Sequence, residues 1–251
     1  MEFNINDYLE KINCPGCNWN EFKILRKSRY ANIKNYEDLI KIYKSSADEL
    51  LLDQLCKCDK CELVYLNPRI KSEIIYQSYT DNLDEQHISQ DEQRFKTFEK
   101  SLKKIIKRNK IKNYHNKKFL DIGSASGIFL KVFKLFKFDE EGYEPSKWMT
   151  EYGKKKYLVN INNGSIDDIK LQNKYDFISF WDVLEHVTNL KVTIDRIDQL
   201  AKKDCTLIIN VPALDTLACK ILKSKWPFYL NVHLYYFTEK TLTNLFLKKN
   251  F

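Results

Sequence analysis

The pattern of hydrophobic and polar positions changes character near residue 90. Beyond it, short apolar runs alternate with stretches in which apolar residues recur every three or four positions. The runs read as buried strands and the recurrent stretches as amphipathic helices. Phe95, Phe98, Leu102, Ile105 and Ile106 predict a first helix, and residues 119–122 a first strand. Residues 126–137 carry Ile128, Phe129, Val132, Phe133 and Phe136 on one helical stripe. Residues 141–144 end a second strand, and Pro145-Ser146 opens a helix to about residue 156. Residues 157–161 predict a third strand, 175–181 a buried fourth, 190–202 a helix and 206–211 a fifth strand closed by Pro212. Strands alternating with helices predict an α/β domain with a parallel, Rossmann-like sheet covered on both faces.

The first 88 residues lack this alternation. Residues 22–25 read as a strand, 36–44 as a helix, 63–66 as a short apolar strand ended by Asn67-Pro68-Arg69, and 70–78 as a helix. Residues 80–93 are polar and acidic and read as a linker or active-site flap. The expected division is a small module with its linker over 1–88 and the α/β domain over 89–251.

Cysteine spacing gives the module its chemistry. Cys14-Pro15-Gly16-Cys17 and Cys58-Asp59-Lys60-Cys61 are two knuckles with 40 residues between them. Four thiolates in two such pairs form the closed tetrahedral shell that structural zinc prefers. Cys56 lies two residues before Cys58 and, in a strand, on the same face, so it is an alternative ligand; the two-residue gap favours Cys58. Cys205 and Cys219 stand alone and read as packing residues.

Composition adds limits. A chain that is 43% hydrophobic and 30% charged is globular, not disordered. No apolar run approaches the ~20 residues needed to cross a bilayer, so no membrane partner is expected. The N-terminus lacks a signal-peptide pattern, which makes a cytoplasmic, reducing location the expectation. Residues 100–118 hold nine Lys or Arg and no acid, against a net charge of +8 for the chain. The segment reads as a helix with a solvated basic face. Nucleic-acid binding is the sharper reading, and the lack of interleaved aromatics counts against it.

Between the first predicted strand and its helix lies Asp121-Ile122-Gly123-Ser124-Ala125-Ser126-Gly127. Glycines there let the backbone approach a ligand, and the helix start suits an anion. Polar residues fall at the carboxyl ends of the other strands too, where ligands bind in parallel sheets. They are Glu144, Ser165 with Asp167 and Asp168, Asp182 with Glu185 and His186, and Asn210. A carboxylate ending the second strand accepts both hydroxyls of a ribose, which points to a nucleoside-type cofactor.

With these stretches in view, the chain resembles a class I S-adenosylmethionine-dependent methyltransferase, of the bacterial group with an N-terminal four-cysteine zinc module. The likeness is carried by CPGC (14–17), CDKCELVYLNPR (58–69), FLDIGSASGIFL (119–130), GYEPS (142–146) and FWDVLEHV (180–187), with a later fit at 231–242. It implies that Asp121, Gly123, Ser124 and Gly127 hold the methionine end of the cofactor, that Glu144 binds the ribose, that Ser165 and Ile166 border the adenine, and that Trp181, Asp182 and His186 line the pocket. His233 is the expected general base, with Tyr235 and Tyr236 shaping an acceptor pocket. The implied acceptor is a small molecule, a sugar nucleotide or cell-surface precursor. An RNA methyltransferase is the rival reading, and a non-catalytic zinc-containing binding protein the third. The chain departs from the family pattern at Ala125, where glycine is usual, and at Lys203-Asp204-Cys205, where Pro-Gly-Gly is usual. The resemblance also implies a final antiparallel hairpin that the sequence stops short of, so truncation is expected.

Overall fold

The computed structural model describes residues 3–30, 33–43, 51–75, 88–247 and 249. In chain order its strands are β1 (Leu9–Glu10), β2 (Phe22–Arg26), β3 (Leu55–Cys58), β4 (Val64–Leu66), β5 (Arg69–Ile70), β6 (Lys118–Ile122), β7 (Asp139–Glu144), β8 (Ile161–Asn163), β9 (Tyr175–Trp181), β10 (Ala201–Asn210) and β11 (Tyr235–Tyr236). Its α-helices are α1 (Tyr36–Ile42), α2 (Asp91–Arg108), α3 (Ile128–Leu135), α4 (Lys147–Tyr157), α5 (Leu190–Leu200), α6 (Leu217–Leu222) and α7 (Glu239–Phe246). The chain divides into two compact units. The first comprises Met1–Asn82, Asp182–Ile194 and Val211–Lys248, and the second Leu83–Trp181, Asp195–Asn210 and Lys249–Phe251. The first unit therefore takes in two stretches from the C-terminal side of residue 88.

The second unit is the α/β fold that the alternation predicts. Its five strands are all parallel, in the order β8-β7-β6-β9-β10. Order reverses between β6 and β9, so the crevice for a ligand lies beyond the carboxyl ends of those strands. Phe119, Leu120, Asp121 and Ile122 of β6 are all buried, as a strand covered on both faces must be. Phe98 and Leu102 of α2 pack in one cluster with Phe119, Phe129, Val132 and Phe133. The apolar stripe of the basic helix is thus spent on the core, and its lysines face outward, two of them paired with Glu92 and Glu99 one turn away.

Two boundaries differ from expectation. The third strand is 161–163 instead of 157–161, because α4 runs on to Tyr157 and ends at Leu158 in the left-handed region (φ +53°). The helix expected to reach residue 202 stops at Leu200, and β10 begins at once, with an irregularity in its pairing before Thr206.

In the first unit β1 pairs antiparallel with β5, and a four-stranded sheet runs β11-β4-β3-β2. The helix expected over 70–78 is replaced at its start by β5; residues 72–75 are helical and 76–78 lie outside the described residues. Of the expected linker, 80–87 lies outside them as well, and Asp91 already belongs to α2. The pairing of Tyr235 with Tyr65 and Tyr236 with Val64 joins the C-terminal segment to the strand that follows the second cysteine knuckle. Among the described residues no helix is long and apolar enough to cross a membrane.

Candidate functional site

The small-residue stretch of the second unit forms a turn held tightly to its neighbours. The N–H groups of Gly123 and Ser124 donate to the carbonyl of Tyr143 at 2.9 and 3.2 Å, and Ser124 Oγ donates to the carbonyl of Asp121 at 2.8 Å. Gly127 caps α3 in the left-handed conformation (φ +75°), and a Cβ there would lie 2.8 Å from Val159. Only glycine meets both demands.

Two carboxylates flank this turn. Glu144, ending β7, accepts from the N–H of Ser146 through Oε1 at 2.8 Å and from the N–H of Ala125 through Oε2 at 2.9 Å. Burial raises its pKa, and those two N–H groups oppose the rise. Asp121, 2% exposed, accepts from the hydroxyl of Ser179 on β9. Burial pushes its carboxyl up to about 7, with Ser179 and Ser124 opposing and the charge of Glu144 adding. A fixed, half-buried carboxylate at the end of β7 and a buried one at the end of β6 fit the ribose and amino-acid ends expected of the cofactor.

The neighbouring residues are placed as follows. Ser165 caps a single 3-10 turn, Ile166–Asp168, with a reciprocal bond to Asp168. Arg196 fastens that turn, donating to the carbonyls of Ile166, Asp167 and Ile169. Trp181 packs edge-on against Phe98 and Phe129, with centroids 4.9 and 5.1 Å away, so much of its ring belongs to the core. Asp182 and His186 fall in the first unit.

Sequence reasoning missed several residues that build this site. Asp91 is 4% exposed and accepts from Ser126 Oγ at 2.9 Å and from Tyr157 OH at 2.7 Å, which ties the glycine turn to α2 and α4. Gly153 lets α4 approach the same turn, since a Cβ there would stand 2.6 Å from the carbonyl oxygen of Ser126. Gly142 does the same for β7 against Ser124. Asp91 opens α2, where an acid is the norm, and so carries no sequence signal.

In the first unit the four cysteines converge. Cys14 Sγ lies 3.4 Å from Cys61 Sγ and Cys17 Sγ 3.6 Å from Cys58 Sγ, and all four sulfurs fall within 4.8 Å of one another. These distances are far too long for disulfides. They are close to the edge of about 3.8 Å for a tetrahedron with Zn–S of ~2.3 Å. The donor set and its spacing therefore fit a zinc ion. Cys56 is turned aside: its thiol donates to the carbonyl of Asn67 at 3.2 Å. Of the two, Cys58 is the one that stands in the four-sulfur cluster.

The same unit holds a second group. Glu185, His186 and His233 each bring a ligand-type atom within 4.8 Å of the others. The imidazoles meet edge to face at 4.7 Å. Burial holds both below the usual range, His233 at about 4 and His186, pressed also by the charge of His233, at about 3, so both are neutral at pH 7. Tyr235 and Tyr236 are 1% exposed. Tyr235 OH donates to the carbonyl of Thr188 at 3.1 Å and accepts from Arg69 at 3.2 Å, and Tyr236 OH donates to the carbonyl of Leu230 at 3.0 Å. Their hydroxyls hold backbone, and they flank His233 as supports instead of presenting free groups to an acceptor.

A family model described as a methyltransferase domain matches residues 91–251. The chain belongs to the methyltransferase domain family. Methyl transfer from S-adenosylmethionine is the chemistry of that family, and S-adenosylmethionine is its cosubstrate. No curated protein matches the chain by sequence. Among solved structures, magnesium protoporphyrin IX methyltransferase of Synechocystis, with bound SAH, is 16% identical over 66% of this chain and 77% of its own, with a TM-score of 0.50; it shows the shared fold. A possible histamine N-methyltransferase of Thermotoga maritima is 20% identical over 53% of this chain and 62% of its own, with a TM-score of 0.43. An amino pentose methyltransferase of Micromonospora echinaspora is 15% identical over 52% and 58%, with a TM-score of 0.41. This chain thus spans less than two thirds of the latter two.

In this methyltransferase fold the departure at Ala125 acquires a physical meaning. Ala125 has φ +47°, in the left-handed region, while its N–H holds Glu144. That conformation costs an L-residue about 1–2 kcal/mol. Ala125→Gly is expected to stabilise the protein by about 0.5–1 kcal/mol, part of the relief being offset by the freer unfolded chain. Urea unfolding checks this, and a lower midpoint for the glycine variant would contradict it.

Proposed function

We propose that the protein transfers the methyl group of S-adenosylmethionine to a small-molecule acceptor, with sugar nucleotides and cell-surface precursors as the class to try first. The observation that carries the cofactor half is the carboxylate of Glu144, fixed by two backbone N–H groups at the end of β7 beside the glycine turn. When bound, S-adenosylmethionine supplies a methyl group already activated on a sulfonium.

The chain's residues take these parts. Glu144 accepts the ribose hydroxyls. Asp121, Gly123, Ser124 and Gly127 hold the methionine end. Ser165 and Ile166 border the adenine, and Trp181, which ends β9, lines the same pocket. His233 is assigned to activating the acceptor, with Tyr235 and Tyr236 keeping its segment in place. Positioning an acceptor against an activated donor supplies up to roughly 7–11 kcal/mol of barrier reduction in well-aligned systems. Zinc at Cys14, Cys17, Cys58 and Cys61 is structural in this reading, because all four positions of a tetrahedral ion are taken by protein.

Asp121 sets a pH dependence. Its folded pKa, about 7, lies above the unfolded value of 3.8. Its contribution to the stability of the ligand-free protein is complete below pH ~4 and is lost as pH rises through 7. A cationic ligand favours the ionised carboxylate. S-adenosylmethionine affinity is therefore expected to rise with pH, by up to on the order of tenfold per unit below 7, and to level off above it. Titrations across pH 5.5–8.5 test this, and an equally steep rise in Asp121→Asn would contradict it.

The acceptor class is tested with methyl-labelled S-adenosylmethionine offered to a sugar-nucleotide panel and, separately, to total RNA. Label in a sugar nucleotide is the expected result. Label in RNA, suppressed steeply by salt, would overturn the reading in favour of the basic segment at 100–118.

A further inference from the structure

We propose that Glu185, His186 and His233 form a second metal site, for one divalent first-row transition ion of the zinc, manganese or iron(II) class. The first observation is a buried carboxyl group with no hydrogen-bond partner among the described residues. Glu185 is 1% exposed, and among those residues neither of its side-chain oxygens has a hydrogen bond. A carboxylate buried this way is strongly disfavoured unless a cation or donor accompanies it. Asp182, of like sign, adds to the unfavourable field.

The second observation is what surrounds that carboxylate. One ligand-type atom each from Glu185, His186 and His233 lies within 4.8 Å of the other two. Each of the two rings has one nitrogen held by a backbone carbonyl. His186 Nδ1 lies 2.9 Å from the carbonyl oxygen of Val232, and His233 Nδ1 lies 2.9 Å from that of Phe228. A carbonyl only accepts, so each Nδ1 carries the proton and each lone pair sits on Nε2. Metal-bound histidines are held by this same outer contact. The two ligand-bearing loops are also fastened together, the N–H of Leu234 donating to the carbonyl of Glu185 at 2.8 Å. Two imidazoles and one carboxylate suit zinc, manganese or iron(II), and three protein ligands leave a position open.

This deepens the reading of His233: the imidazole activates the acceptor by holding an ion that polarises it, not by taking the proton itself. It depends on the proposed function only for that consequence, since ion binding stands on the three residues alone. The donor set also differs from that of the cysteines, which makes the two sites separable by spectroscopy.

The test is metal content of the full chain after equilibration with zinc or manganese, alongside cobalt(II) reconstitution followed in the visible. The expected result is two equivalents per chain for the parent, one giving the intense thiolate–cobalt charge-transfer band and one giving only weak ligand-field bands. Glu185→Gln and His233→Ala are each expected to fall to one equivalent with the thiolate band intact, which also reports that the first unit has folded. A parent that takes up only one equivalent, or a second equivalent that survives in both variants, would overturn the proposal. If the second ion binds and no acceptor is methylated, the functional reading fails and the site stands.

Discussion

Serine in place of Cys58 is expected to strip zinc from the first unit and to lower its unfolding midpoint sharply. Cys58 ends β3 and opens the turn to Cys61. Its N–H donates to the carbonyl of Leu63 at 2.9 Å, and its own carbonyl accepts from Glu62 at 3.1 Å. Cys58 therefore sits at the corner of the β3–β4 hairpin. β3 pairs with β2, and β4 pairs with β11, so the corner organises the sheet that also carries Tyr235 and Tyr236. Structural zinc binds with an apparent ~10–16 kcal/mol that is largely folding free energy. A serine hydroxyl replaces a thiolate poorly, and a loss of several kcal/mol is enough to unfold a small sheet. Cys56→Ser is the control, because that thiol donates to a backbone carbonyl; it is expected to keep zinc and to cost only about 1 kcal/mol. Metal analysis and thermal unfolding of the two variants read the difference. Full zinc occupancy in Cys58→Ser, or equal losses in both, would contradict the four-cysteine assignment.

Glu144→Ala is expected to weaken S-adenosylmethionine binding by roughly 10²- to 10⁴-fold. Two hydrogen bonds from ribose hydroxyls to a carboxylate are worth about 3–6 kcal/mol together. The variant also releases the N–H groups of Ala125 and Ser146, which the carboxylate now holds. Glu144→Gln keeps the shape but offers one acceptor oxygen, and an intermediate loss is expected of it. Equilibrium binding separates the three proteins. A parent-like affinity in Glu144→Ala would place the ribose elsewhere.

How far these features were legible in sequence follows from how local they are. Strand β9 was readable to the residue because its run of aromatic and apolar residues, broken only by Asp176 and Ser179, is bounded by Lys174 and Asp182. The glycine turn was readable because a close approach demands glycine, and the place of Glu144 beside it because a strand that ends at 144 brings that residue to the turn. The position of β8 was not, because Leu158 takes a left-handed turn that its type does not announce. β11 was not, because two residues have no period; its strand is defined by pairing with Tyr65 and Val64, about 170 positions away in sequence. For the same reason no local pattern showed that 182–194 and 211–248 fold with the cysteine module. His186 and His233 were assigned separate parts from sequence, and only the folded chain brings them together beside Glu185.

The methyl transfer proposed for this protein depends on the glycine turn and Glu144 forming an S-adenosylmethionine site. Calorimetric titration of the 251-residue chain with S-adenosylmethionine and S-adenosylhomocysteine tests it most directly. One site per chain is expected, with affinity on the order of micromolar for both ligands, lost in Asp121→Ala and Glu144→Ala. No heat of binding from a protein shown to be folded, or undiminished binding in both variants, would contradict it.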